Sequence, residues 1–303
     1  MKDRRRTKKI YILIVLAFLA IGVQQFASLP ATPEAIFFDV GQGDATLING
    51  PQNIQIVIDG GPDDTVVKKF GRYLPVNDRT IEIVLVSHPD SDHLTGLIEL
   101  AHRYAITQVV QPAFAADSPV IEEWRAVLKE KNIPVIEATA GMSFTFPGQG
   151  RLEILSPKKS VVYKDTNAQS IICTYQSAGV KLLFLGDATP ESQDALLGER
   201  GLENVQSIKI SHHGSEKSYS SNLIDMINPG LAIIQVGANN RFGHPSPSVI
   251  QRLKEKNITV RRTDQEGDVV VPLTADTQNS VPIFEKILFV WYNLVRNIKS
   301  LLT

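Results

Sequence analysis

Between residues 35 and 273 the apolar positions fall into short runs, each closed by Gly, Pro, Asp or Ser, a pattern of buried strands alternating with a few amphipathic helices. AIFFDV (35–40) and ATLI (45–48) flank a Gly-Gln-Gly-Asp turn, and IQIVID (54–59) stops at Gly60-Gly61, which predicts a meander of neighbouring strands. IEIVLVSH (81–88) is a buried strand, and helical periodicity follows from Leu94 to Tyr104. ITQVVQP, a helix near Pro119 to Lys131 and PVIEA continue the alternation, while SFTFP and RLEILSP suit antiparallel partners. IICTYQ and VKLLFLGD form a hairpin around Ser177-Ala178-Gly179, with a helix from Pro190 to Leu197. VQSIKISHH and LAIIQVGA are two more buried strands, SPSVIQRLKEK is a surface helix, and TVRRTD with DVVVPL reads as a closing hairpin. Mixed sheets with helices outside, in one domain from 33 to 275, is the expected α/β architecture.

The ends have another character. Residues 10–23 are an unbroken apolar run behind a cluster of six bases and one acid in the first nine residues. This is the arrangement of a signal peptide or an N-terminal anchor, with the basic end cytoplasmic and the body outside. Because no clean small-x-small cleavage site follows, residues 1–29 read as an uncleaved anchor in preference to a signal removed on secretion, with a buried N-terminal helix as the third reading. Residues 276–303 carry IFEKILFVWYNLVRNIKSLL, an amphipathic pattern suited to packing on the domain, lying in a membrane interface or contacting a partner.

The formal charge of −1 hides the asymmetry, since the remainder after the basic cluster carries about −6. That body lacks the bulk positive charge that gathers polyanions without sequence preference, although local basic grooves are not excluded. A single cysteine, Cys173, rules out an intrachain disulfide and a Cys-rich zinc cage. Any metal must be held by other ligands, and Cys173 itself reads as an inert core side chain.

Five of the six histidines occupy short segments at the predicted C-terminal ends of strands. Ser87-His88-Pro89-Asp90-Ser91-Asp92-His93 places four potential ligands within six residues on a loop held by a strand, a mixture that favours Zn²⁺, Mn²⁺ or Fe over Ca²⁺. The competing reading is a solvated loop with a helix N-cap. Gly186-Asp187 ends a second strand with a carboxylate that either bridges cations or caps the next helix, and His212-His213 end a third. Asn240-Arg241-Phe242-Gly243-His244-Pro245 follows a fourth, while His102 reads as a surface residue of its helix.

In collinear order, FFDVGQGDATLI (37–48), IDGG (58–61), SHPDSDHLTGL (87–97), NAQSIICTY (167–175), LLFLGD (182–187), IKISHHGS (208–215) and NNRFGHPSPSVIQRL (239–253) resemble the metallo-β-lactamase fold superfamily, in its ComEC-like hydrolase branch. The resemblance implies an αβ/βα four-layer sandwich of two mixed β-sheets with the active site along one edge. It puts the superfamily's H-x-H-x-D-H motif on His88, Asp90, Asp92 and His93, with Asp90 in place of the usual second histidine. Asp187 becomes the bridging carboxylate, and the last ligand comes from the His212-His213 pair, His212 in preference to His213. Asn167 stands near the place of a further histidine, with Ser170 close by, so one ion is left with fewer strong ligands. Two divalent ions, Zn²⁺ or Mn²⁺, are implied: His88, Asp90 and Asp187 on one, Asp92, His93, Asp187 and a histidine of the pair on the other. Asp59 either supports a ligand imidazole or caps a turn. Asp39 and Asp44 are candidates for the same edge, and His244 for holding substrate or protonating a leaving group.

A metal pair brings the pKa of a bridging water toward about 7 and so produces hydroxide in neutral medium. The expected reaction is hydrolysis of a phosphodiester, with DNA as a candidate substrate and Asp92 and His244 as the catalytic side chains. The rivals are a small lactam, lactone or phosphoester substrate, and a non-enzymatic, metal-stabilised docking module at the membrane.

Overall fold

The computed structural model describes residues 33–74, 78–114 and 117–274; the proposed anchor at 1–29 and the amphipathic segment at 276–303 lie outside them. In chain order the strands are β1 (Glu34–Phe37), β2 (Ala45–Asn49), β3 (Gln55–Gly60), β4 (Thr80–Ile81), β5 (Ile83–Leu85), β6 (Ala105–Ile106), β7 (Val109–Gln111) and β8 (Val135–Glu137). They continue with β9 (Ser143–Phe146), β10 (Gly150–Ser156), β11 (Ile172–Ser177), β12 (Val180–Phe184), β13 (Ser207–Lys209), β14 (Leu231–Ile234), β15 (Thr259–Arg262) and β16 (Val269–Pro272). One seven-stranded sheet runs β16-β1-β2-β3-β5-β7-β8 and the other β15-β14-β13-β12-β11-β10-β9, with β4 and β6 as a separate pair.

Successive side chains on these strands face different cores, which is why the runs are apolar throughout rather than alternating with polar residues. Phe37, Ile48, Ile58 and Leu85 of the first sheet meet Leu152, Cys173, Leu182 and Phe184 of the second in a central core. Their neighbours Ile36, Leu47, Val57 and Val84 pack under Leu94, Leu97, Trp124 and Val127 of the helices Ser91–Arg103 and Pro119–Glu130. On the far side, Ile172, Leu183 and Ile208 pack against Leu223, Val249 and Leu253 of the helices Ser221–Ile227 and Pro247–Glu255. Three apolar seams between helix, sheet, sheet and helix make the αβ/βα four-layer sandwich.

Direction matters more for function than layering. β3, β5, β7 and β8 are mutually parallel in one sheet, and β12, β13, β14 and β15 in the other. Parallel strands send their C-terminal loops to one edge of a sheet, the place where open α/β sheets bind ligands.

One expectation needs correction. TVRRTD and DVVVPL do not form a hairpin: β15 lies parallel to β14, and β16 lies antiparallel to β1 in the opposite sheet. The helical turn Thr263–Glu266 and Gly267, at φ 73°, carry the chain from one sheet to the other, so the local turn signal was real but the pairing it suggested was not. The helices Thr65–Phe70 and Ser221–Ile227 were not foreseen, since under two turns there is too little periodicity to read.

The helix after β5 sits unusually close to the sheet. A Cβ on Gly96 would stand 1.9 Å from the Gly60 carbonyl oxygen, and a Cβ on Gly60 would stand 2.4 Å from the Leu97 nitrogen. Gly96 also donates its N–H to the Gly61 carbonyl at 3.0 Å. This glycine-to-glycine contact seats the first turn of the helix, which carries Asp92 and His93, against the end of β3, which carries Asp59. Gly→Ala inside a helix normally stabilises by about 1 kcal/mol. Here the sign should reverse: Gly96→Ala is expected to destabilise by about 1–3 kcal/mol through overpacking, measured as a lowered denaturation midpoint in the presence of chelator.

Candidate metal centre

Each candidate ligand arrives on the C-terminal side of a strand. Asp59 is the penultimate residue of β3, Ser87 and His88 follow β5, Asp187 follows β12, and His212 and His213 follow β13. Asp59, His212 and His213 hold φ angles of 58°, 49° and 53°, the left-handed region that side chains with a Cβ adopt at a cost of about 1–3 kcal/mol each. That strain turns consecutive imidazoles of the pair toward one point.

The point is Asp187. Its Oδ1 lies 3.5 Å from His93 Nε2, and its Oδ2 lies 3.9 Å from His88 Nε2, 3.7 Å from His212 Nε2 and 3.9 Å from His213 Nε2. Asp90 Oδ2 stands 3.7 Å from His88 Nε2, while Asp92 Oδ2 stands 3.3 Å from His213 Nε2 and 4.0 Å from His93 Nε2. Most of these separations exceed hydrogen-bond length. They match what two ligands sharing one tetrahedral ion require, about 3.4 Å for bonds of about 2.1 Å.

The opposite nitrogen of every imidazole is fixed. His93 Nδ1 is 2.9 Å from Asp59 Oδ2, and His88 Nδ1 is 3.0 Å from Ser87 Oγ, which itself donates to Asp59 Oδ2 at 2.6 Å. Asp59 thus orients two rings, and it also accepts the Ser87 N–H at 2.7 Å. His213 Nδ1 donates to the Gln235 carbonyl at 3.0 Å, and His212 Nδ1 is 3.0 Å from Ser218 Oγ. Such outer partners set the tautomer in which Nε2 offers a lone pair. Among the described residues His88 Nε2, His93 Nε2 and Asp187 Oδ1 are buried and have no hydrogen-bond partner. Buried polar atoms are seldom left so, and three of them converging indicate a site shaped for cations. Among the described residues, groups able to hold an ion include His88, His93 and Asp187, and Asp92, His93 and His213. The donor set of imidazoles and carboxylates therefore fits divalent metal.

The electrostatics agree. Burial pushes the Asp187 carboxyl up, but His93, His213 and His88 more than offset this and hold it well below the ordinary range. Burial likewise opposes the charged forms of His93 and His213; Asp187 with Asp59 raises His93 well above its usual value, and Asp187 with Asp44 raises His213 to about 9. His88 beside Asp90 lowers that carboxyl. Burial and the neighbouring imidazoles lower His244, leaving it neutral in neutral medium.

The remaining candidates divide. Asp44 belongs to the centre: its Oδ1 is 3.2 Å from His213 Nδ1, and its Oδ2 pairs with the buried Lys209 ammonium. Burial raises its pKa, but Lys209 and His213 bring it down to about 2. Asp39 does not join the cluster; its carboxylate accepts the Gly41 N–H and its own N–H goes to Asp268. Ser170 Oγ accepts the Asp187 N–H at 3.3 Å, and the Asn167 amide oxygen is buried without a partner. His244 lies at the rim, its ring centroid 5.9 Å from that of His212. Of the histidine pair, His213 rather than the favoured His212 faces Asp92, though both reach Asp187.

Sequence reading passed over Lys209, Gln235, Ser87 and Ser218. Lys209 had a signal, a lone charge in the apolar strand IKIS. Gln235 had none: its amide donates across the sandwich to the Phe38 and Ala45 carbonyls and accepts from Thr46 Oγ1, while its backbone carbonyl holds His213.

The family model for the metallo-beta-lactamase superfamily matches residues 38–237. By sequence the chain is similar to ComE operon protein 3 of Bacillus subtilis (24% identity, 80% of this chain) and to Recombination protein 2 of Haemophilus influenzae (28%, 87% of this chain). It is similar also to Competence protein ComA of Neisseria gonorrhoeae (26%, 84% of this chain). The chain spans about a third of the length of these relatives, 33%, 32% and 34% respectively. In fold it is similar to the metallo-beta-lactamase fold protein YhfI from Bacillus subtilis, with a TM-score of 0.54 at 11% identity over 79% of this chain and 99% of that one. A diiron β-hydroxylase, CmlA from Streptomyces venezuelae, gives 0.54 at 13% identity over 81% and 55%. Zn²⁺-bound PqqB from Methylobacterium extorquens gives 0.51 at 10% identity over 79% and 100%. By its matched sequence span and its four-layer sandwich, the chain belongs to the metallo-beta-lactamase superfamily.

Proposed function

We propose that the chain is a metal-dependent hydrolase of phosphodiesters, with a single strand of DNA as its favoured substrate class, working outside the cytoplasmic membrane on an N-terminal anchor. The observation that carries this reading is the convergence of four Nε2 atoms on Asp187 with every Nδ1 tied elsewhere. His88, Asp90 and Asp187 would hold one divalent ion; Asp92, His93, His213 and Asp187 the other, with His212 beside the shared carboxylate. Bound there, Zn²⁺ or Mn²⁺ supplies Lewis acidity and lowers the pKa of coordinated water. The protein's own part is orientation. Asp59 and Ser87 lock the rings of His88 and His93, and Asp44 with Gln235 locks His213. Asp92, its side chain about one-third exposed, meets the incoming group at the mouth. His244, at the rim beside His212, would hold a leaving oxygen by a hydrogen bond.

The sandwich alone does not select a reaction, as its likeness to a diiron β-hydroxylase shows. Phosphodiester hydrolysis is favoured by the carboxylates Asp90, Asp92 and Asp187 beside the imidazoles, which suit oxygen-binding cations, and by Competence protein ComA among the relatives. The test is turnover by Zn²⁺- and Mn²⁺-loaded protein of single-stranded DNA, bis-nitrophenyl phosphate and a chromogenic β-lactam. Cleavage of the two phosphodiesters but not the lactam is expected, with a loss of about a hundredfold or more in Asp92→Ala and Asp187→Ala. Cleavage of the lactam alone would select the small-substrate reading, and turnover of none the docking module.

Protons and cations compete for the same imidazoles. In chelator, the folded pKa of His213, about 9, lies above the unfolded value of about 6.5. Its contribution to stability is therefore complete below pH 6.5 and is lost as the pH rises to 9, on the order of 3 kcal/mol. Thermal unfolding of chelated protein should accordingly show a falling Tm across that window, and saturating Zn²⁺ should restore most of the loss at its upper end. A flat Tm would contradict the buried charge network.

A further inference from the structure

Beside the metal centre the segment 239–245 presents an apolar ring to solvent. Phe242 is 55% exposed, in a chain whose other large aromatic side chains are mostly buried among the described residues. Its position is not that of a loose loop tip. Asn240 Oδ1 accepts the backbone N–H groups of both Phe242 and His244, at 3.1 and 3.0 Å, and Asn240 Nδ2 donates to the Gly237 and His244 carbonyls at 3.0 and 2.6 Å. Four hydrogen bonds from one amide thus clamp the turn that displays the ring.

The ring also points back to the chemistry. Phe242 stacks on His244 at 5.9 Å between centroids and 17° between planes, and His244 stands 5.9 Å from His212, whose Nε2 faces Asp187. The Arg241 guanidinium lies 5.1 Å from the Phe242 ring centre. An exposed aromatic ring with an adjacent guanidinium, a short step from a site for a phosphodiester, has the composition of a single-strand stacking platform, where the ring takes a base and the cation a backbone phosphate.

We propose that Phe242, with Arg241, is a base-stacking subsite that makes the centre selective for a nucleic-acid strand over other phosphodiesters. This rests on the phosphodiesterase reading of the metal centre and adds the substrate feature it recognises. It also reconciles a nucleic-acid substrate with the acidic body: stacking on one ring supplies affinity that net charge does not. The base would lie on the outer part of the ring, beyond its overlap with His244, while Asn240 keeps the platform at fixed distance from the reacting phosphate.

The experiment compares a short oligothymidylate with an abasic strand of equal length and charge, on the full chain and on Phe242→Ala and Phe242→Trp. Binding is read by fluorescence anisotropy in chelator, where no turnover occurs, and KM is read separately with Mn²⁺. The wild-type chain should favour the base-bearing strand by about tenfold in Kd and KM, as one stacked base is worth at least this much. Phe242→Ala should erase that preference and Phe242→Trp should retain it. Equal binding of the two strands by the wild type, or a preference that survives Phe242→Ala, would overturn the subsite. Turnover without base preference leaves the hydrolase and removes the platform. Base preference in anisotropy without turnover keeps the platform and removes the hydrolase.

Discussion

The structure depends on holding like charges together at one sheet edge. Asp44, Asp59, Asp90, Asp92 and Asp187 converge within a few ångströms of four imidazoles, three of the five carboxylates being buried outright. Such a group is costly to bury unless opposite charge enters with it. Without metal, protonated imidazoles and Lys209 serve that need, and the raised pKa of His213 and lowered pKa of Asp187 are its consequences. Divalent metal bound there would take the place of the protons.

Much of the remaining design supports this edge. The parallel strands aim loops from both sheets at it, and the Gly60–Gly96 contact presses the helix bearing Asp92 and His93 onto the strand bearing Asp59. Gln235 and the Asp44–Lys209 pair tie the two sheets together directly beneath His213. The candidate ligands are divided between the sheets, His88 and Asp90 on the loop and Asp92 and His93 on the helix that follow β5 of one, Asp187, His212 and His213 after strands of the other. Any slip between the sheets would therefore open the centre, which gives the inter-sheet polar contacts a role that apolar packing alone does not fill.

How much of this was legible beforehand follows from the range of each interaction. Histidines and aspartates clustered at strand ends are visible locally, so most of the residues around Asp187 were found, and the collinear motifs gave the four-layer sandwich. What a residue does through a partner far away in the chain is not visible. Gln235 touches residues nearly two hundred positions earlier, and Asp44 meets Lys209 across 165. Asp39 and Asp44 look alike on either side of the Gly41-Gln42-Gly43 turn, yet only Asp44 enters the cluster. That His213 and not His212 faces Asp92 follows from a turn with two left-handed backbone angles, which a sequence of L-residues does not announce. The false hairpin at β15 and β16 has the same origin, since a turn signal says that the chain reverses but not which sheet receives it.

The most direct test is the number of divalent ions per chain, read by elemental analysis of the Zn²⁺- or Mn²⁺-reconstituted protein beside its Asp187→Ala variant. The account predicts close to two ions bound by the wild type, and the loss of at least one when the shared carboxylate is removed. A wild-type protein that retains no metal, or an Asp187→Ala variant that binds as much as the wild type, would contradict it.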